Sequence, residues 1–153
     1  MAVAGLPEPD ENHAITMARF AYQCVTKMKT ITEDLEPVLG PGTAQLGVRI
    51  GFHSGPVTAG VLRGKKSRFQ LFGDTVNTAS RMESNGAKGR IQVSESTANL
   101  LIAAGKKHWL QEREDQIFAK GKGKLRTFWL AAGKKRKGGR SGEMKSQSVH
   151  GSD

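Results

Sequence analysis

The spacing of apolar residues changes along this chain, and that change limits the folds it can adopt. Between Asn12 and Glu33 apolar residues recur every three or four positions, the spacing of a helix with one buried face. They are Ala14, Met17, Ala18, Ala21, Cys24, Val25, Met28, Ile31 and, just beyond, Leu35. Between Leu46 and Ser54 the apolar residues occupy every second position instead, which predicts a half-buried strand.

Shorter elements follow, and their order predicts the fold class. Met1–Ala4 has the pattern of a strand end, and residues 57–62 form an apolar run that is ambiguous between helix and strand. The further predicted elements are a strand at 68–72, a helix from Asp74, which can cap it, to about Ser84, a strand at 91–93, a helix capped by Ser94, and strands near 108–112, 115–119 and 125–130. Strands and helices in this order, with late hairpins, predict an α+β fold with one antiparallel sheet covered by helices.

The length and the charge distribution divide the chain into one domain and a tail. A chain of 153 residues is large enough for one core but not for two. Residues 132–153 contain six Lys/Arg and two Asp/Glu, so this segment alone carries +4 of the net charge of +10. Its basic cluster is embedded in Gly and Ser, which is typical of a disordered tail. Such a tail could contact anionic lipid or RNA or remain solvated, and the solvated state is favoured.

Several classes of protein are disfavoured by the same composition. No apolar run approaches the ~18–20 residues that a membrane span requires, and no secretory signal is visible at the N-terminus. The single cysteine, Cys24, excludes an internal disulfide and fits a reducing, cytoplasmic compartment. The histidines show no metal-ligand spacing. His53 has no catalytic partner at a recognisable spacing, so a structural role is favoured for it.

Two polar residues of the helix at 74–84 form the candidate site. Asn77 and Arg81 lie four positions apart and therefore on one helical face, whereas Val76, Ala79 and Met82 form a separate apolar stripe. An amide beside a guanidinium suits a negatively charged, oxygen-rich ligand, because Arg offers a fork of donors to phosphate oxygens. A solvated surface arginine is the alternative.

Three stretches carry a resemblance to a known family. They read V-R-I-G-F-H-S-G-P-V at residues 48–57, R-F-Q-L-F-G-D-T-V-N-T-A-S-R at 68–81, and A-K-G-K-G at 119–123. In this order and spacing, residues 1–131 resemble the catalytic domains of the class III nucleotide cyclases, the adenylyl and guanylyl cyclases. The resemblance implies a ferredoxin-like core and conversion of GTP or ATP to the 3′,5′-cyclic nucleotide and pyrophosphate.

The resemblance also implies roles for individual residues. In the family two domains pack head to tail; one holds two Mg²⁺ or Mn²⁺ ions through two aspartates, and the other supplies an Asn and an Arg. By matching position, Asn77 would orient the ribose and Arg81 would stabilise charge at the α-phosphate. Lys120 matches a lysine that reaches the terminal phosphates, and Lys65 matches a basic residue near the pyrophosphate. Gln70 and Leu71 fall at substrate-binding positions, and the Gln70 amide, both donor and acceptor, leaves adenine and guanine open.

The sequence departs from the family at the metal site. The family's aspartates lie in motifs like D-x-x-G-F and G-D-x-Y, and neither occurs here. The chain is therefore expected to be an N-terminally shortened cyclase domain, lacking the first strand and helix, with no metal ligands and no activity by itself. The parent protein could be membrane-anchored on the cytosolic side, as many family members are.

Two other functions compete with the cyclase interpretation. One is a non-catalytic cyclase-like partner that dimerises or regulates. The other is a basic nucleic-acid binder, suggested by the pI of about 10.1. Few aromatics accompany the basic cluster, so specific nucleic-acid recognition is not expected.

Overall fold

The computed structural model describes residues 1–63, 67–115, 117–119 and 123–131. The predicted tail, 132–153, lies outside the described residues. Besides two short 3₁₀ helices, Thr43–Gln45 and Lys107–Trp109, the described part of the chain contains three α-helices and eight strands. In chain order they are α1 His13–Leu39, β1 Ile50–Phe52, β2 Thr58–Leu62, β3 Arg68–Phe72, α2 Asp74–Ser84, β4 Ile91–Ser94, α3 Glu95–Ala103, β5 Leu110–Glu112, β6 Ile117–Ala119, β7 Gly123–Leu125 and β8 Thr127–Leu130.

The main sheet has four strands in the order β1-β4-β8-β5. Strand β8 pairs antiparallel with both β4 and β5, but β1 and β4 run parallel, with Ile50 opposite Ile91 and Phe52 opposite Val93. The predicted α+β class is therefore confirmed, with a mixed rather than wholly antiparallel sheet. Strands β1 and β4 are parallel because the long crossover between them, through β2, β3 and α2, brings the chain back to the end of the sheet at which β1 began.

Helix α1 covers one face of this sheet. Ala14, Ala18 and Ala21 are buried there, and they pack in a cluster that also contains Phe52, Ile91, Val93, Ala98, Leu101, Phe128 and Leu130. The N-terminal half of the predicted stripe is thus in the core. The prediction is wrong further along, since Ile31 and Leu35 are exposed. Helix α1 has 27 residues and is therefore about 40 Å long. The strands of the main sheet have only three or four residues, so the C-terminal part of α1 extends beyond the sheet.

Helix α2 packs on the opposite face, against β1. The contact is close because Gly51 has no side chain: a Cβ there would overlap the backbone of Met82 and Glu83. The buried residues of α2 are Thr75, Thr78 and Met82, so the predicted stripe is rotated towards the threonines. Gly73, with φ 122°, precedes the helix as its N-cap, and Asp74 lies in the first turn without capping it.

Two hairpins stand apart from the main sheet. Strands β2 and β3 form a two-stranded antiparallel sheet in which Gly60 pairs with Gln70, so the ambiguous run at 57–62 is a strand. Strands β6 and β7 form the second hairpin, with Ala119 opposite Gly123. These two strands flank the A-K-G-K-G stretch, whose residues 120–122 lie outside the described part of the chain.

Two strand predictions fail in the same region. Met1–Ala4 adopts no strand, and only Ile50–Phe52 of the predicted 46–54 strand joins a ladder. A strand needs a partner on which to form hydrogen bonds, and among the described strands β1 has one only on its β4 side. By contrast, the predicted helix cap at Ser94 is confirmed, because its hydroxyl accepts the Thr97 N–H at 3.4 Å.

Candidate active-site face

Asn77 and Arg81 share one face of α2, away from the core. Asn77 is exposed and Arg81 is half-buried. With 3.6 residues per turn, their directions differ by about 40° and lie far from those of the buried Thr75 and Met82. The fold thus brings the two residues together on a surface that a ligand can reach.

The last turn of α2, which carries Arg81, is held by hydrogen bonds to its own carbonyl. The Arg81 carbonyl oxygen accepts from the Asn85 side-chain amide at 2.9 Å and from the Asn85 backbone N–H at 3.1 Å. The Ser84 hydroxyl also donates to it, at 3.4 Å. These bonds satisfy the helix terminus and fix the backbone from which the guanidinium extends.

Gln70 and Leu71 are neighbours on β3 and point to opposite faces of the hairpin. Gln70 is exposed, whereas Leu71 is half-buried and lines a large cavity on the inner side. Neither Asn77 nor Arg81 lines that cavity. Within one chain, therefore, Leu71 does not share a surface with the Asn77 and Arg81 pair.

The two predicted phosphate-binding lysines, Lys65 and Lys120, lie outside the described residues, as do Gly121 and Lys122. The segments around Lys120 are described: β6 ends at Ala119 and β7 begins at Gly123, whose φ of 70° is suited to glycine. The phosphate-binding roles of Lys120 and Lys65 therefore stay predictions.

The cavity has a volume of ≈ 1190 Å³ and lies on the other side of α2. Its α2 wall consists of Thr75, Val76, Ala79, Ser80 and Glu83. These residues point roughly opposite to Asn77 and Arg81 around the helix axis. This cavity and the candidate catalytic pair therefore occupy different surfaces.

Among the described residues, no three His, Cys, Asp or Glu side chains come together in a group that could hold a metal ion. Mg²⁺ at a nucleotide is usually held by one or two carboxylates together with substrate phosphates. The sequence contains neither of the aspartate motifs that supply such carboxylates in the family, so the described residues do not fit the ions that the family resemblance implies.

A polar network that the sequence did not reveal joins the ends of β1 and β4. His53 Nδ1 lies 2.7 Å from the Ser94 hydroxyl and 3.0 Å from that of Ser96. The Thr97 hydroxyl donates to the Ser54 hydroxyl at 3.1 Å. The only signal in the sequence was the Ser-Glu-Ser-Thr run that begins α3. These bonds are consistent with the structural role favoured for His53, and they anchor the helix start to the sheet.

Comparison with known proteins identifies the family. The model of the adenylate and guanylate cyclase catalytic domain matches residues 1–132. The chain belongs to this family, as the three motifs predict. It is 44% identical over 131 residues to the receptor-type guanylate cyclase gcy-28 of Caenorhabditis elegans, an alignment covering 85% of this chain and 10% of that protein.

Solved structures agree with this assignment. The guanylate cyclase domain of RhGC from Catenaria anguillulae, solved with GTP, matches with a TM-score of 0.66 and 38% identity over 82% of this chain and 63% of that one. A dimeric guanylyl cyclase domain of the RhoGC fusion protein from Blastocladiella emersonii matches with a TM-score of 0.60 and 34% identity, covering 82% and 62%. The chain thus spans about a tenth of the curated relative and under two thirds of either solved domain.

Within the described residues, no helix is both long and apolar enough to cross a membrane.

Proposed function

We propose that this chain supplies the Asn77 and Arg81 half of a nucleotide cyclase active site, which a second cyclase domain completes. The observation that carries the proposal is the placement of both side chains on an accessible face of α2, with the core contacts made elsewhere on the helix. Membership of the cyclase family supplies the reaction class.

The chemistry assigned to the pair is charge stabilisation and positioning. In the reaction the ribose 3′-oxygen forms a bond to the α-phosphorus, loses its proton, and displaces pyrophosphate. Negative charge accumulates on the phosphate oxygens, and the fixed guanidinium of Arg81 can stabilise it there with two N–H donors. The Asn77 amide can hold the ribose by a hydrogen bond, so that the 3′-oxygen faces the phosphorus.

A second domain is part of the proposal because the described residues lack the carboxylates of the reaction. We assign the divalent cation to that partner. The β2–β3 hairpin supports an association: Val61, Phe69 and Phe72 are exposed on it, and an isolated two-stranded hairpin is only marginally stable in water. One related domain of known structure is described as a non-canonical dimer, which shows that cyclase domains of this kind can associate.

GTP is the first substrate to test, and ATP the second. The C. elegans relative is named a guanylate cyclase, and the Catenaria domain was solved with GTP. Exposed Gln70 can present either a donor or an acceptor to a purine edge, so the proposal covers both nucleotides.

Because the C. elegans relative is a receptor-type guanylate cyclase, we also propose that the parent protein holds this domain at the cytosolic face of a membrane.

The experiment is complementation between two inactive halves. The 153-residue chain is mixed with a cyclase domain that retains its aspartate motifs but has alanine in place of its own Asn and Arg. We expect cyclic nucleotide from the mixture with Mn²⁺ or Mg²⁺, and none from either component alone. Arg81→Ala should reduce the rate by about 10²–10³-fold, the usual cost of removing one such donor.

Arg19→Ala, a change of another arginine on the exposed side of α1, is the matched control and should leave the rate unchanged. Activity of the isolated chain above its Arg81→Ala variant would contradict the proposed division of roles. Binding of the two chains without any cyclic product would favour a non-catalytic, regulatory partner instead.

A further inference from the structure

The guanidinium of Arg113 joins the main sheet to the C-terminal end of α2. Its Nη1 group donates to the Asn85 carbonyl oxygen at 2.6 Å and to the Gln92 side-chain oxygen at 2.9 Å. Asn85 is the C-cap of α2, and Gln92 is a fully buried residue of β4. One side chain therefore bonds to both elements at the place where the helix ends.

Arg113 is itself held by its backbone and by an aromatic ring. Its N–H donates to the Thr127 carbonyl oxygen at 3.0 Å, directly after β5 ends. Its guanidinium carbon lies 4.8 Å from the centroid of the Trp129 ring, and the side chain is only 18% exposed. The ion pair with Asp115, at 3.6 Å, contributes little because that carboxylate is 83% exposed. A side chain locked by packing in this way can fix the groups that it contacts.

Asn85 connects this attachment to Arg81. The Asn85 side-chain amide and backbone N–H both donate to the Arg81 carbonyl oxygen, at 2.9 and 3.1 Å. The last carbonyls of a helix have no partner within the helix, and helix ends fray. On the sheet side, the Gln92 amide lies 4.0 Å from the sulfur of Met82, in the same turn. The turn that carries Arg81 is thus tied to the sheet through Arg113.

We propose that Arg113 is a positioning residue for Arg81, acting through the Asn85 carbonyl and Gln92. In this role Arg113 makes no contact with the nucleotide; it fixes the backbone from which the Arg81 guanidinium extends. The inference rests on the proposed function, because the phosphate contact of Arg81 is what requires a fixed backbone. A displacement of about 1 Å of such a group can cost about a hundredfold in rate.

The alternative is that Arg113 only stabilises the fold, since a cation at a helix C-terminus is favourable wherever it occurs. The complementation assay described above separates the two roles with Arg113→Met, which removes every donor but leaves an apolar side chain beside Trp129. We expect kcat per folded chain to fall by about tenfold or more, with KM for the nucleotide changed by less than about twofold.

The same substitution in an Arg81→Ala chain gives the deciding comparison. A residue that acts through Arg81 has nothing left to position there, so Arg113→Met should cause no further loss of the residual rate. A purely structural residue would lower the rate by the same factor in both backgrounds.

Two variants serve as controls. Arg90→Met is matched, because the Arg90 guanidinium lies 3.9 Å from the same Trp129 ring but its side chain makes no hydrogen bond to α2 within the described residues. It should retain the parent kcat. Arg113→Lys keeps the charge and loses the planar fork, so its kcat should lie between those of the parent and Arg113→Met; it carries the test if Arg113→Met does not fold.

Hydrogen exchange tests the attachment without any need for activity. The Asn85 amide should exchange about tenfold faster or more in Arg113→Met, while the amides of β4 keep their parent rates, because only the end of α2 is released. If the parent chain yields no cyclic nucleotide with its partner, the proposed function fails, and exchange at Asn85 then decides alone whether Arg113 fixes this turn. Parent kcat in folded Arg113 variants, equal losses in both backgrounds, or unchanged exchange at Asn85 would each overturn the inference.

Discussion

Replacing Gly51 with alanine tests how closely α2 packs on the sheet. Two effects oppose each other. Alanine relieves the conformational cost of glycine in a strand, a gain of about 0.5–1 kcal/mol. Its Cβ, however, would occupy the space of the Met82 and Glu83 backbone. Main chain cannot rotate away as a side chain can, so we take the upper end of the ~1–3 kcal/mol range for overpacking.

The overpacking cost is the larger, and Gly51→Ala should lower the free energy of unfolding by about 2 kcal/mol. For a chain of this size that corresponds to about 4–8 °C in the unfolding midpoint. Urea unfolding followed by circular dichroism measures the difference, with an unchanged dependence on urea as the sign that the same structure unfolds.

Gly60→Ala is the matched control, since it makes the same change on another strand. A Cβ at Gly60 meets only the Phe72 ring, at 3.9 Å, which is ordinary contact. This variant should be as stable as the parent or slightly more stable. If Gly51→Ala were equally stable, α2 would not lie at this distance from β1, and the placement of Asn77 and Arg81 argued from it would be wrong.

Three further predictions concern other parts of the chain. Ser94→Ala removes the α3 cap and the 2.7 Å contact with His53. Calorimetry should give a loss of about 1–2 kcal/mol, against less than about 0.5 kcal/mol for Asn99→Ala at an exposed position of the same helix. Hydrogen bonding to Glu112, followed by the charges of Glu112 and Glu95, raises the pKa of Arg126. A raised pKa of a cationic group stabilises the fold at every pH below arginine's ordinary pKa, and this stability is lost only as the pH rises through the higher, folded-state pKa. The difference in unfolding midpoint between the parent and Arg126→Gln should therefore stay constant from about pH 7 to about pH 10. It should become smaller as salt is added. Deleting residues 132–153 should remove most salt-sensitive RNA binding in filter assays; retained, sequence-dependent binding would contradict this.

Local patterns predicted those parts of the fold that depend on neighbours in sequence. Helical spacing alone places Asn77 and Arg81 on one face, and the Ser-Glu-Ser-Thr run is sufficient to predict the cap at Ser94. The same reasoning misplaced the buried face of α2 by part of a turn. The close approach permitted by Gly51 brings Thr75 and Thr78 towards β1, and no property of the helix itself contains that information.

Features that depend on distant segments could not be predicted from local patterns. Ile31 and Leu35 continue a regular apolar stripe, but the sheet beneath them ends before the helix does. The parallel pairing of β1 with β4 depends on a connection of some forty residues.

Helix α2 links these observations because its three sides make three different contacts. Thr75, Thr78 and Met82 are buried, and Val76 and Ala79 border the cavity. Asn77 and Arg81 occupy the remaining side. A rigid helix cannot move one side without the others, so a change in the packing of α2 on the sheet must also move the guanidinium of Arg81. Because misplacing a catalytic group by about 1 Å can cost about a hundredfold in rate, packing variants that shift α2 should lower cyclase complementation, whereas changes to Val61 or Phe69 on the β2–β3 hairpin should affect association alone.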